Sequence, residues 1–154
     1  MTTVVDSVSA PVSATWPSQA ACVSSGAASL ILVGVAGFQV ALVLGAPWAA
    51  VTQGGTHTGA LPVSGRVIAG MSAALLLVMA GAERAGIDRG PLATAPTRVI
   101  GAGLWFTTIY SGAGVVLNLA SPSLPEKALW APVTAVILGL STVVLRSWRR
   151  RRPA

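Results

Sequence analysis

The sequence predicts an all-α protein, an integral membrane four-helix bundle. Of its 154 residues, 53% are hydrophobic and only 9% are charged, whereas about a quarter of the residues of a soluble domain are charged. The apolar residues gather in four segments near the length of about 20 residues that a helix needs to cross a bilayer. None of the segments shows the alternating pattern of a membrane β-barrel, and a helix satisfies its own backbone hydrogen bonds in lipid.

The predicted spans divide the chain into a tail, one membrane domain and a basic end. The spans lie at about residues 26–48, 67–82, 99–120 and 128–145. Residues 1–25 are rich in Ser, Thr and Ala and carry one charge, so we expect a flexible polar tail. This tail lacks the basic residues that open a signal peptide. Residues 146–154 contain five arginines and are expected to form a basic cytoplasmic tail.

The basic residues are distributed unequally between the loops. Three arginines in the middle loop and five at the C-terminus lie on one side, against Arg66 and Lys127 on the other. The positive-inside rule therefore predicts a multi-pass protein of the cell (inner) membrane with both termini cytoplasmic. We expect the C-terminal arginines to contact anionic lipid headgroups. Nucleic acid is not an expected partner, because no basic and aromatic folded face is predicted.

The first and third loops, which this topology places outside, and the span ends that border them carry the candidate ligand-binding residues. They offer an imidazole, a guanidinium, an amide, a carboxylate and two indoles: Trp48, His57, Arg66, Asn118, Glu126 and Trp130. Such a patch could bind a polar headgroup or perform acid–base chemistry. No catalytic residue can be assigned from the sequence.

Several of these residues also have a structural interpretation. Ser123 can cap a helix in which Glu126 occupies the capping-box position. Arg66 is either a headgroup anchor or a partner of Glu126. His57 is expected to be solvated, and a lone histidine makes no zinc site, which needs three or four protein ligands. The segment GGTHTG lacks the GK[ST] of a phosphate-binding loop. The sequence predicts neither a metal nor a cofactor.

Polar residues within the spans are few. A stripe on one face of the third span is either a cavity wall or a helix-packing seam, and we prefer the seam; it consists of Gly103, Thr107, Ser111, Gly114 and Asn118. Gln39 is expected to form an interhelical hydrogen bond. The first span holds no acid, which argues against the mechanism of small multidrug exporters, where a glutamate in that span exchanges protons for cations.

Two groups of motifs resemble a known family. GAPW at 45–48, GG at 54–55, LP at 61–62 and Arg66 are followed by LNLASPS at 117–123, Glu126 and WAPV at 130–133. Over about residues 42–140 the chain resembles a widespread bacterial family of small four-helix integral membrane proteins. The resemblance implies the fold and a pairing of the two outer loops, but no reaction. Members typically read GAPWGEY, whereas this chain reads GAPWAAV and so lacks the acidic position.

Three hypotheses for function follow. The first is a protein that binds a lipid or small amphiphile through the outward-facing patch, as an accessory or interaction subunit. The alternative is a membrane-embedded enzyme of isomerase or cyclase type, with Glu126 or His57 as proton donor or acceptor. The third is a small transporter, working as a homo-oligomer because four short helices enclose little volume.

The topology is testable with a reporter fused to the C-terminus. We expect a reporter that works only in the cytoplasm to be active there, because eight of the ten basic residues lie on that side. Fusion of the same reporter within residues 54–60 is the matched control and should give no signal. Activity in the loop fusion alone would reverse the predicted orientation.

Overall fold

The computed structural model describes residues 16–152, and it confirms the all-α prediction. Four long helices follow one another: α1 Gln19–Val43, α2 Val63–Ala85, α3 Thr97–Ala120 and α4 Leu124–Arg151. Two short 3₁₀ turns, at Ala49–Val51 and Gln53–Gly55, lie between α1 and α2. Each of the four helices is long and apolar enough to cross a membrane, so the chain is a multi-pass membrane protein.

The helices form two hairpins that pack side by side. α1 lies along α2 and α3 lies along α4, and the hairpins meet through α1 with α4 and, less closely, through α2 with α3. The loops 44–62 and 121–123 therefore share one end of the bundle, called the mouth end here. The loop 86–96, the start of α1 and the end of α4 share the other, called the arginine end.

α1 begins earlier than predicted, and the reason is local. The Ser18 hydroxyl accepts a hydrogen bond of 3.2 Å from the N–H of Ala21 and caps the helix. The prediction of a flexible tail over residues 1–25 is therefore wrong for 19–25; residues 1–15 lie outside the described part of the chain. α1 ends at Val43 because Gly45 has a φ of +97°, which breaks the helix.

α2 and α4 are both longer than predicted, because the prediction ends them at charged residues that the helices in fact include. α2 includes Arg66 at one end and Glu83 at the other, beyond the predicted 67–82. α4 continues through Arg151 instead of ending at 145, so the prediction of a separate basic tail is wrong for residues 146–151. Basic side chains suit this position because the C-terminal end of a helix carries a partial negative charge. Residues 153–154 lie outside the described residues.

The buried apolar residues form three clusters along the bundle axis. The central one joins α1, α2 and α4 and contains Leu32, Ala36, Leu76, Met79, Ala80 and Ile137. Small residues bring the helices together: a Cβ on Gly103 would lie 2.8 Å from the Cβ of Ala82. Close approach of this kind replaces the hydrophobic drive that lipid removes, while many larger apolar side chains, such as Leu30 and Val116, remain exposed on the outside.

At the arginine end, Asp88 ties the end of α4 to the loop after α2. Its carboxylate pairs with the guanidinium groups of Arg151 and Arg152, the latter at 2.8 Å. Partial burial raises the pKa of Asp88, but the hydrogen bonds and charges of the two arginines outweigh it and hold the pKa below its ordinary value. Two of the five C-terminal arginines are thus engaged, while Arg149 lies over the Trp105 ring at 5.6 Å.

The pairing of Asp88 gives a pH-dependent contribution to stability. Because the folded-state pKa is lowered, this contribution is present above the unfolded pKa of about 3.9 and is lost as the pH falls through the folded value. We expect the difference in melting temperature between the wild type and Asp88→Asn to shrink toward zero as the pH falls below about 4. Asparagine tolerates the left-handed backbone that Asp88 adopts, with a φ of +59°, so the variant isolates the charge. A difference that stays constant with pH would contradict the ion-pair assignment.

Candidate functional site

The two loops of the mouth end dock against each other. Gly55 has a φ of +66°, and a Cβ placed there would lie 2.6 Å from the Ser123 hydroxyl oxygen. That hydroxyl donates a hydrogen bond of 3.3 Å to the carbonyl oxygen of Ala50. The loop pairing expected from the motifs is therefore present in the structure, and it depends on a glycine at position 55.

Glu126 joins the two loops. One carboxylate oxygen accepts a 3.2 Å hydrogen bond from the N–H of Gly54, and the other accepts one of 2.7 Å from the Ser121 hydroxyl. Ser123 does cap α4, since its hydroxyl accepts from the N–H of Glu126 at 3.4 Å. The carboxylate does not close the capping box, however, because the N–H of Ser123 donates to the Ser121 hydroxyl instead. Glu126 is thus a link between loops rather than a cap of its own helix.

The aromatic residues at the mouth end form one group around Phe38. Trp130 meets the Phe38 ring edge to face with centroids 4.9 Å apart, and Trp48 stacks on Phe38 at 5.7 Å. The indole N–H of Trp130 donates to the carbonyl oxygen of Val51 at 2.6 Å. The two predicted tryptophans are therefore brought together, by a phenylalanine that sequence reasoning did not single out.

Arg66 and His57 do not join this group. The Arg66 Nε donates to the carbonyl oxygen of Leu61 at 3.0 Å, and its guanidinium lies against Gly45. The only ion pairs within residues 16–152 are those of Asp88, so the alternative in which Arg66 pairs with Glu126 is not realised. His57 is exposed, and its Nδ1 contacts the hydroxyl of the adjacent Thr56 at 2.9 Å.

Below the docked loops lies a cavity of about 290 Å³ that all four helices line. Its polar wall includes Gln39, Thr52, Asn118 and Glu126, and Trp130 forms part of the same end. Its deeper wall is apolar and is formed by Leu32, Leu76, Met79 and Ile137. Glu126 is the one carboxylate among the lining residues, and none of them is Lys, Arg or His.

The stripe on α3 serves both of its predicted roles, in different halves. Near the arginine end it is a seam, where Thr107 is fully buried and a Cβ on Gly103 would lie 2.8 Å from the Cβ of Ala82 on α2. Near the mouth end, Ser111, Gly114 and Asn118 line the cavity. The preferred interpretation as a seam alone is incomplete. Gln39 also lines the cavity rather than pairing with a helix.

Sequence reasoning missed two structural features for different reasons. The N–H of Gly54 gives no signal, because any residue supplies a backbone N–H and only the fold aims it at Glu126. Glu83 did have a signal: the predicted span 67–82 is shorter than the roughly 17 residues that a span requires. Extending that span in both directions would have brought Glu83 into the bundle, where it is fully buried.

Loop docking can be tested by comparing two glycines with similar backbone conformations. Gly55 and Gly59 have φ values of +66° and +79°, but a Cβ on Gly59 would meet nothing within 4 Å. We expect Gly59→Ala to lower the free energy of unfolding by the backbone strain alone, about 1–2 kcal/mol. Gly55→Ala should cost a further ~1–3 kcal/mol of overpacking, measured by denaturation of the detergent-solubilised protein. Equal losses in the two variants would mean that the loops are not docked.

Comparison of the chain with models of protein families, with curated proteins and with solved structures gave no match. The family resemblance of the loop motifs therefore stays a prediction. A function for the mouth end has to be inferred from the geometry of its own residues.

Proposed function

We propose that this protein binds a single-chain amphiphile with a cationic head, placing the head at Glu126 and the tail in the cavity. The observation that carries the proposal is a carboxylate at the polar end of an otherwise largely apolar cavity, with no ion-pair partner among residues 16–152. A cation complements that carboxylate, and the apolar wall suits a hydrocarbon chain.

The polar end has unused capacity to receive a head group. A carboxylate has about four acceptor sites, and Glu126 uses one on each oxygen, for Gly54 and Ser121. The side-chain amides of Gln39 and Asn118 border the same space. The Trp130 ring also lines it and can attract a cation through its π face.

The size of the cavity selects among amphiphiles. Its volume of about 290 Å³ lies at the lower end of the range for ligand pockets, which is roughly 300–1,000 Å³. One short chain fits such a volume, whereas the two chains of a phospholipid do not. Ser72 of α2 and Tyr110 of α3 line the cavity between the least closely packed pair of adjacent helices. A longer tail would leave the cavity there, toward the lipid.

The distribution of basic residues supports an outward-facing mouth in the cell (inner) membrane, with both termini cytoplasmic. The exposed Arg146, Arg149 and Arg150 then meet the anionic headgroups of the cytoplasmic leaflet. The enzyme alternative lacks its histidine, because His57 is exposed outside the cavity. Binding needs only the groups that the cavity already presents.

The test uses three ligands with one tail: octyltrimethylammonium, octanol and octyl sulfate. Native mass spectrometry and thermal shifts of the full chain in nonionic detergent should show binding in the order cation, alcohol, sulfate. We expect Glu126→Gln to weaken binding of the cation about tenfold or more, because the variant removes the charge–charge attraction, which is roughly 4 kcal/mol at 4 Å in an environment typical of a protein surface. The variant should leave octanol binding nearly unchanged.

Arg66→Gln is the matched control, because Arg66 lies at the mouth end but does not line the cavity. We expect it to keep the preference for the cation. Ala113 lines the cavity. The larger side chain of Ala113→Leu should occupy part of its volume and weaken the binding of all three ligands. Binding of the three heads with equal strength, in wild type and Glu126→Gln alike, would contradict the proposal.

A further inference from the structure

A second carboxyl group lies inside the bundle, away from the cavity mouth. Glu83 occupies the last turn of α2 and is fully buried, with 0% of its surface exposed. Neither of its carboxyl oxygens has a hydrogen-bond partner among the described residues. Ionisable residues inside membrane bundles are rare because they are costly, and they commonly mark ion or proton paths.

The surroundings of Glu83 offer hydroxyl groups but no countercharge. The side chain beside its carboxyl is Ser141 of α4, which is also fully buried and whose hydroxyl also lacks a partner. The Ser25 hydroxyl of α1 is already committed, since it donates to the backbone carbonyl oxygen of Glu83 at 2.8 Å. The carboxyl and the Ser141 hydroxyl are thus two unpartnered polar groups in one buried place.

No charged group of the neighbouring elements forms an ion pair with Glu83 within residues 16–152. The Arg84 guanidinium lies against Gly26, and Arg151 of α4 binds Asp88 and the Gly86 carbonyl oxygen. The one basic residue of α3 is Arg98, which is exposed. Helix α1 contains no charged residue, and its titratable side chain is the half-buried Cys22. An ionised Glu83 would therefore be an unpaired buried charge, which costs several kcal/mol.

Glu83 lies directly beneath the floor of the cavity. Met79 of α2 and Ile137 of α4 line that floor, and Glu83 and Ser141 each follow four residues later on the same helix. Four residues correspond to about 6 Å along a helix axis. Met79 belongs to the apolar layer between them, and a methionine side chain changes conformation easily. This apolar layer is what separates the carboxyl from the cavity.

We propose that Glu83, with Ser141 as its hydroxyl partner, is a proton-binding site that exchanges its proton through the cavity. In the protonated state the carboxyl is neutral, and it can donate to or accept from Ser141. A sodium ion is the less suitable occupant, because one carboxylate and one uncommitted hydroxyl fall short of the several oxygens that a bound cation requires. The site is separate from Glu126, so it stands or falls independently of amphiphile binding.

The test is labelling of the full chain in detergent with dicyclohexylcarbodiimide, an apolar reagent for protonated carboxyls. The acid transfers its proton to one reagent nitrogen while a carboxylate oxygen adds to the central carbon. The adduct then rearranges to a stable N-acylurea with no leaving group. Peptide mass spectrometry can assign it among the four acids of the chain, which are Asp6, Glu83, Asp88 and Glu126.

We expect the adduct on Glu83, with a rate that falls about tenfold per pH unit once the carboxyl is mostly ionised. Glu83→Gln should abolish it, and Glu126→Gln should leave it. Ser141→Ala should keep the site but change the rate, because it removes only the hydroxyl partner. The wild-type mapping is decisive even if Glu83→Gln does not fold.

Three results would overturn the proposal. The first is labelling of Glu126 or Asp88 with none on Glu83, and the second is a Glu83 rate that does not change with pH. The third is protection of Glu83 by sodium chloride but not by potassium chloride at the same ionic strength, which would identify a sodium site instead. None of these results depends on octyltrimethylammonium binding at the mouth.

Discussion

The bilayer offers no hydrogen-bond partners to the protein, and the arrangement of polar groups in this molecule follows from that constraint. Each helix satisfies its own backbone, and several hydroxyls within the spans donate to backbone carbonyl oxygens. Thr108 and Thr142 donate to the carbonyl one turn earlier on their own helices. Ser25 and Ser29 of α1 donate to carbonyls of α2 and so join two helices. Small residues and close contact between the helices add to these interhelical bonds and hold the bundle together.

Against this background, the two glutamates of the bundle have opposite environments. Glu126 lies at the start of α4 and accepts hydrogen bonds from two neutral donors, Gly54 and Ser121. Glu83 lies near the end of α2, is fully buried and receives none. The first arrangement suits a carboxylate that receives a cation, whereas the second suits a carboxyl that holds a proton. A single residue type thus supports two different inferences because the donors around it differ.

The sequence was sufficient for the number and type of the elements, because composition alone decides which segments can enter lipid. It was less reliable for their ends. The charges of Arg66 and Glu83 predict boundaries of α2, although a long side chain near a helix end can turn toward the loop, as Arg66 does. The sequence also gives no sign that Asp88 forms ion pairs, because its partners Arg151 and Arg152 follow more than 60 residues later. Pairing over such a distance is a property of the fold and leaves no local pattern.

Long-range contacts also explain why the sequence predicts which loops form the mouth end but not the contacts between them. The contacts of the α1–α2 loop to α4 are made by its backbone: the Gly54 N–H meets Glu126, while the Val51 and Ala50 carbonyls meet Trp130 and Ser123. Backbone groups are present whatever the side chains are, so the stretch WAAVTQGG holds this loop in place without a charged side chain. What the loop does require is the left-handed backbone at Gly54 and Gly55, which turns those groups toward α4. The glycines of this segment therefore shape the wall behind Glu126, and the chemistry of the mouth is left to α4 and the cavity.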